Sequence, residues 1–301
     1  MSSDHKLETR ELALGYGQGH VIDGLTVQIP PGRITAVIGA NACGKSTLLR
    51  GLARLLAPTL GEVLLDGAPL DGLRSIEVAK VIGLLPQTPI APDAITVGDL
   101  VGRGRYPHQG WFRRWTPADE EAVDEALAAT ETSDLIDRPV AGLSGGQRQR
   151  VWIALALAQQ TDILLLDEPI TFLDVNYQIE ILDLLVELNR LRGVTIVLVL
   201  HELNLAARYS DHLIAMKDGR IVTQGPPGQV VTAQVVEHVF NLHCDVVPDP
   251  HSGTPMVIPI SRKPGPAPVV GAPPWPVGEP RVHSPAQRSP APSVRSAFEA
   301  E

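Results

Sequence analysis

Cysteine is scarce in this 301-residue chain, with Cys43 and Cys244 the only two. Neither sits in a spacing that suggests a disulfide framework or a metal site, so a reducing cytosol is the expected compartment. Positive charge is in deficit: 25 Lys plus Arg face 34 Asp plus Glu, for a net charge of -9. That balance argues against a general nucleic-acid binder while leaving room for local basic patches. Long apolar runs are missing as well. The opening MSSDHKLETRELALG has no apolar signal core, and no stretch is long enough to cross a bilayer. Any membrane role is therefore expected to be borrowed from another polypeptide. The length still suffices for one α/β core with an inserted subdomain.

Against that background one segment stands out. Residues Gly39 to Thr47 read GANACGKST, which fits GxxxxGK followed by Ser or Thr. Chance would place such a match in a chain this long at roughly the one-in-a-hundred level. It also lies between an apolar strand, Ile34 to Ile38, and a helical run, Ser46 to Leu52. Backbone N–H groups of Gly39, Ala40, Asn41, Ala42, Cys43 and Gly44, with the positive helix end behind them, can surround an anion. A tight turn would explain Gly39 and Gly44 but not Lys45 and Ser46. Lys45 is placed to reach β- and γ-phosphate oxygens, and the Ser46 hydroxyl to hold a Mg²⁺ that bridges them. Cys43 has two readings: a thiolate whose alkylation would block nucleotide, or an inert small residue in a packed turn.

Strands are expected at Leu7 to Tyr16, Val21 to Ile29, Ile34 to Ile38, Glu62 to Asp66 and Val81 to Leu85. After Gln87 the pattern turns helical. Thr116-Pro117-Ala118-Asp119 offers a cap, a first-turn proline and an acid, and helix dominates to about Gln160. Asp162 to Asp167 and Val194 to Leu200 are continuous apolar runs of the kind buried on both faces of a parallel sheet. A helix over about Val175 to Arg192 joins them into a βαβ unit. From Arg262 the chain is dense in proline, with Ala, Ser and Arg, and is expected to be disordered.

Far downstream of the first glycine-rich loop, Leu143 to Gln147 read LSGGQ. Ser144 and Gln147 can form a capping box, and Gly145 and Gly146 let an anion approach bare N–H groups at the helix start. Asp167 and Glu168 end a buried strand, where carboxylates are costly unless a metal or hydrogen bonds compensate. Asp167 would orient Mg²⁺ directly or through water, and Glu168 would position and polarise an attacking water. His201 follows the next strand at the same sheet edge, within reach of a γ-phosphate. Gln87, after Pro86, would sense metal and γ-phosphate at the entry to the helical insert.

In order, these residues resemble the motifs of the ATP-binding cassette (ABC) ATPases. The resemblance implies an α/β P-loop NTPase (RecA-like) core with an N-terminal antiparallel β-subdomain and an inserted α-helical subdomain. It places the nucleotide-binding domain at 7–260, the helical subdomain at about 88–160, and a proline-rich tail at 261–301. In family terms Tyr16 is similar to the aromatic residue that stacks on adenine, Gly39 to Thr47 to Walker A, and Gln87 to the Q-loop. Leu143 to Gln147 resemble the signature motif, Ile163 to Glu168 Walker B with its catalytic Glu, Phe172-Leu173-Asp174 the D-loop, and His201 the switch histidine. Lys45, Glu168 and His201 are thus the implied catalytic groups, ATP the substrate, and Ser46, Gln87 and Asp167 the Mg²⁺ site. Ala40 and Ala42 replace the usual Pro and Gly, Ile170 a common Thr, and Glu202 a frequent Asp. None of these removes a reacting group.

A finer likeness lies in RGRYPH from Arg103, LSGGQRQRVW from Leu143 and HELNLAARYSDH from His201. These resemble the importer ATPases for ferric siderophores, whose relatives move haem and cobalamin. The likeness implies a head-to-tail pair with a second copy of the chain, the Walker A loop of one and LSGGQ of the other holding one ATP. It also implies two integral-membrane permease subunits, indirectly a substrate-binding protein, no nucleic acid, and a place on the cytoplasmic face of the inner membrane. Arg103, Arg105, Tyr106, Trp111, Phe112, Arg113, Arg114 and Trp115 are candidates for the rim that meets the permease. The same cluster also reads as a solvated loop packed on its own subdomain, while RNA binding fits poorly with the net charge. Other classes remain: a soluble cassette protein acting on ribosomes or DNA, a non-hydrolysing regulator, or an exporter ATPase. Tandem cassettes and long coiled-coil inserts, usual in the first, are missing, and Glu168 argues against the second.

Overall fold

The computed structural model describes residues 5–261, apart from Gln18, 110–113 and Phe172. Trp111, Phe112, Arg113, Phe172 and the proline-rich tail from Arg262 therefore lie outside the described residues. The chain begins with β1 (Leu7–Tyr16) and β2 (Gly19–Ile29), then β3 (Ile34–Gly39), α1 (Lys45–Leu52), β4 (Leu60–Leu65) and the two-residue β5 (Ala68–Pro69). Strands β2, β1, β4 and β5, in that order, form an antiparallel sheet.

Next come α2 (Ser75–Val81) and β6 (Ile82–Leu85), so Val81 ends a helix and the strand starts one residue later than its apolar run suggests. The helical insert follows with α3 (Val97–Gly102), α4 (Pro117–Ala129) and α5 (Gly145–Ala158). Its helix starts carry the caps written in the sequence. The backbone N–H of Asp119 donates to Thr116 Oγ1, and the Thr116 N–H donates back to the Asp119 carboxylate. Ser144 and Gln147 repeat the exchange at α5. Removing such a cap ordinarily costs about 1 kcal/mol.

The core resumes with β7 (Ile163–Asp167), α6 (Val175–Arg192), β8 (Thr195–Val199), α7 (Leu203–Tyr209), β9 (His212–Lys217) and β10 (Arg220–Gly225). Short helices α8 (Pro227–Val230) and α9 (Ala233–Phe240) lead to a hairpin, β11 (Cys244–Pro248) and β12 (Pro255–Pro259). The second sheet runs β10-β9-β3-β8-β7-β6, parallel except for β10. Every residue of β3, β7 and β8 is buried, because helices cover one face and the first sheet with α1 covers the other. Alternate side chains divide accordingly. Ala36, Ile38, Leu164, Leu166, Ile196 and Leu198 join the core shared with the insert and α6, whereas Val37, Leu165, Val197 and Val199 join α1 and the first sheet.

The parallel register also aligns the strand ends. The carboxyl ends of β3, β6, β7 and β8 deliver Gly39, Gln87, Asp167 with Glu168, and His201 to one edge of the sheet. In open α/β sheets that edge is where ligands bind.

Candidate functional site

A cavity of 930 Å³ opens at this edge, lined by Gly39, Ala40, Asn41, Ala42, Gly44, Lys45, Ser46, Thr47, Gln87, Glu168 and His201. The sequence motifs, separated by up to about half the chain, are thus neighbours. The loop turns on two left-handed residues, Ala42 at φ 62° and Gly44 at φ 104°. Gly39 allows a close approach, since a Cβ there would sit 2.4 Å from the Met216 carbonyl oxygen and 2.6 Å from Cys43 Sγ. Only a residue without a side chain fits.

Lys45 is buried, and its Nζ donates to the carbonyl oxygens of Gly39 and Ala40, both at 2.9 Å. An ammonium carries three protons, so one donor remains for an anion in the loop. Ser46 Oγ donates to Asp167 Oδ1 at 2.8 Å, tying the start of α1 to the end of β7. Burial pushes the Asp167 carboxyl above its ordinary value, the charge of Glu168 adds to this, and the Ser46 hydrogen bond opposes it. Asp167 does not line the cavity itself; it lies directly behind Ser46.

Glu168 sits just past the strand in a left-handed conformation, φ 55°, a backbone state that side chains other than glycine adopt at a cost. The turn sets the carboxylate between two partners. His201 Nε2 is 2.6 Å from Oε1, and Thr171 Oγ1 donates to Oε2 at 3.3 Å. The loop beyond is braced by Gln149, which donates to the Pro169 carbonyl, and Gln178, which donates to those of Ile170 and Leu173.

Other expected residues stand apart from the cavity lining. Tyr16 is half exposed, its hydroxyl accepting from Arg50 of α1 at 3.0 Å, so the ring is held beside the loop helix. Ser144 and Gly145 are exposed at the start of α5, and Asp174 is exposed at the start of α6. Cys43 is buried behind the loop, and burial raises its thiol pKa, which favours the inert reading. Two lining residues escaped sequence reasoning. Val21 sits early in β2, and Phe240 ends α9 some forty residues past His201, in no recognisable motif. A second cleft of 530 Å³ lies at the opposite end of the strands, between Gln160 and Leu164 and between Leu188 and Val194. Among the described residues its lining holds no glycine-rich loop, and its one carboxylate, Asp162, is paired with His5 at 3.4 Å.

The candidate rim needs correction. Arg103, Tyr106, Arg114 and Trp115 are exposed, but Arg105 is 5% exposed and turned inward onto Asp119, Ala158 and Gln160. Its charge is used to hold the insert together, not to meet a partner.

Residues 22–171 match the ABC transporter family model. Over 256 residues the chain is 56% identical to the probable siderophore transport system ATP-binding protein YusV of Bacillus subtilis, covering 85% of this chain and 93% of that protein. This chain belongs to the ABC transporter ATPase family. It is also 54% identical over 257 residues to the ferric enterobactin transport ATP-binding protein FepC of Escherichia coli, covering 85% of this chain and 95% of the relative. Among solved structures, the dimeric bacterial ABC transporter cassette MJ0796 superposes with a TM-score of 0.66 at 28% identity, covering 73% of this chain and 98% of that one. As an ABC ATPase the chain binds and hydrolyses ATP. Among its described residues, no helix is long and apolar enough to cross a membrane.

Proposed function

We propose that this chain is the ATP-hydrolysing subunit of an ABC importer that takes up iron(III)–siderophore complexes through separate permease subunits. The observation that carries the chemistry is the convergence of Lys45, Ser46, Gln87, Glu168 and His201 on one cavity, with Asp167 behind it. The cargo class rests on the likeness to YusV and FepC, each more than half identical over most of this chain.

The loop from Gly39 to Thr47 wraps the β- and γ-phosphates, its N–H groups and the remaining Lys45 proton supplying donors. The Ser46 hydroxyl and the Asp167 carboxylate, 2.8 Å apart, are hard oxygen donors of the kind Mg²⁺ prefers. The residues fit that ion: a buried carboxylate whose pKa is raised by desolvation is stabilised as an anion by a cation beside it. With Gln87 they would hold it, and when bound it would supply neutralisation of the charge that develops on the phosphates. Glu168 accepts a hydrogen bond from the attacking water and polarises it. His201, in contact with Glu168, orients that carboxylate and reaches the γ-phosphate. Tyr16 packs on the adenine.

One chain supplies only one wall. The Ser144-Gly145-Gly146-Gln147 start of α5, its first two residues exposed and all four outside the cavity of their own chain, meets the γ-phosphate held by a second copy, with Asp174 at the same seam. ATP thus favours the closed pair because it touches both chains only there. Hydrolysis reopens the pair and drives the permease, which docks beside Gln87 and the helical insert on the cytoplasmic face of the inner membrane. The boundaries 7–260 for the cassette and 261–301 for an accessory tail belong to this reading.

Labelled-iron uptake in a deletion strain supplied with different chelators tests it. Loss of uptake from one or a few ferric chelates, restored by the wild-type chain and not by Glu168→Gln, is expected. Normal iron uptake together with loss of haem or cobalamin uptake would reassign the cargo.

A further inference from the structure

The last turn of α5 is gripped by the loop that follows α3. Arg105 Nη1 donates to the carbonyl oxygen of Ala158 at 2.8 Å and to Gln160 Oε1 at 3.0 Å, while its Nε donates to Asp119 Oδ1 at 3.0 Å. His108 Nε2 is 2.7 Å from the Gln159 carbonyl oxygen. These carbonyls have no partner further along the helix, so the two side chains do the work of a C-terminal cap, and a guanidinium there also complements the negative helix end. Just before Arg105, Gly104 lies so close to α5 that a Cβ would stand 2.6 Å from the Leu155 carbonyl oxygen. Arg105 and Asp119 are 5% and 4% exposed. Burial alone would raise the Asp119 carboxyl, but hydrogen bonds from Thr116 and Arg105 outweigh it and hold its pKa below the ordinary value. Asp119 is itself the acidic member of the capping box at the start of α4, its carboxylate accepting from the Thr116 N–H. One guanidinium therefore joins the start of α4, the loop after α3 and the end of α5.

The opposite end of α5 carries Ser144 and the two glycines. The helix has 14 residues, which at 1.5 Å per residue spans about 21 Å. A rod held at one end by buried charge-assisted bonds has its other end aimed by them. A purely stabilising role would be met more cheaply by apolar residues, since a buried ion pair adds little net stability over a well-packed apolar substitute.

We propose that Arg105, with Asp119 and His108, is a positioning clamp that aims the Ser144 helix start at the γ-phosphate held by the second copy. This rests on the two-chain ATP site proposed above. The clamp governs formation of the ATP-bound pair and leaves nucleotide capture by the Gly39 to Thr47 loop untouched.

The test uses the full chain carrying Glu168→Gln, so that ATP is held without turnover. Two quantities are measured: ATP affinity at protein concentrations below pairing, and the concentration at which ATP drives pairing, read by sedimentation. In Arg105→Met/Asp119→Asn, which leaves no unpaired buried charge, single-chain affinity stays within about twofold while pairing requires about tenfold more protein. Arg105→Lys, which keeps the charge and part of the bonding, recovers part of the loss. Should the double variant not fold, His108→Ala and Gly104→Ala perturb the same grip from the loop side, and each should weaken pairing without weakening single-chain affinity. Folded variants that pair like the parent overturn the clamp. Equal losses in affinity and pairing overturn it too, since they mark a general structural defect. Failure of the Glu168→Gln parent to pair with ATP overturns instead the two-chain site.

Discussion

Glu168 Oε1 and His201 Nε2 lie 2.6 Å apart, although one follows β7 and the other β8. The contact exists because β7 and β8 are parallel and in register, Asp167 opposite Val199, so that the residues just past both strands emerge side by side. A carboxylate so held has its orientation fixed by the imidazole, which is what the general-base role proposed for Glu168 requires.

Glu168→Gln should leave ATP binding intact and lower turnover by about 10²–10⁴-fold, the usual worth of a positioned general base. An ATP-bound pair should then accumulate. Phosphate release and sedimentation in the presence of ATP check both halves. Unchanged turnover would remove Glu168 from its role and leave the phosphate loop assignment standing.

Much of this site was legible before the fold was known. The loop Gly39 to Thr47, the capping pair Ser144 and Gln147, and the strand-terminal Asp167 and Glu168 each carry a local signal: a glycine turn, a capping box, a charged pair ending an apolar run. Local signals survive folding because short-range geometry produces them. Phe240 has no such signal. It reaches the cavity only because α9 folds back against β9, a contact between elements that nothing near Phe240 encodes. Arg105 misled for the opposite reason. An arginine flanked by Arg103, Tyr106 and Trp115 reads as surface, yet Asp119, fourteen positions on, and the end of α5 draw it inside. The boundary of β6 slipped by one residue because Val81 continues the apolar run while its backbone still belongs to α2.

Cys43 lies inside the phosphate loop but faces away from the cavity, with its thiol pKa raised by burial. The reactive thiolate is therefore scarcer at neutral pH than in a free cysteine. Iodoacetamide at pH 7 should label Cys43 more slowly in the folded chain than in urea, because burial both hides the sulfur and raises its pKa. Cys43→Ser should retain ATP hydrolysis. Peptide mapping after a timed pulse separates Cys43 from Cys244, which is also buried and also raised. Rapid labelling of Cys43 with loss of ATP binding would restore the alternative, an accessible regulatory thiol.

Truncation after Ser261 should preserve ATP hydrolysis and the thermal midpoint. The backbone N–H of Ile260 still closes the last hairpin by donating to the His243 carbonyl at 2.9 Å, and Asn204 of α7 pairs with the Val257 backbone through both its amide groups. These bonds lie entirely within residues 204–260 and are kept by the truncation. A large loss of activity on removing 262–301 would show that those residues take part in the cassette.

Asp167→Asn sets function against stability. In the folded chain burial raises this carboxyl above its ordinary value of 3.8, so between 3.8 and the raised value the folded chain binds more protons than the unfolded one. Stability then falls as pH rises through that window, and the penalty persists at neutral pH. An asparagine still accepts the Ser46 hydroxyl but carries no charge to desolvate. Without nucleotide at pH 7, the variant should melt higher, by about 2–4 °C for each kcal/mol relieved. Its stabilisation by Mg²⁺ and ATP together should shrink or vanish, because the carboxylate that would hold the ion is gone. Thermal melts at pH 5 and pH 7, each with and without Mg²⁺ and ATP, separate the two effects. A variant that melts lower than the parent without ligand would mean that the buried charge is already compensated by its protein neighbours. The cost now offset by substrate binding would then not exist.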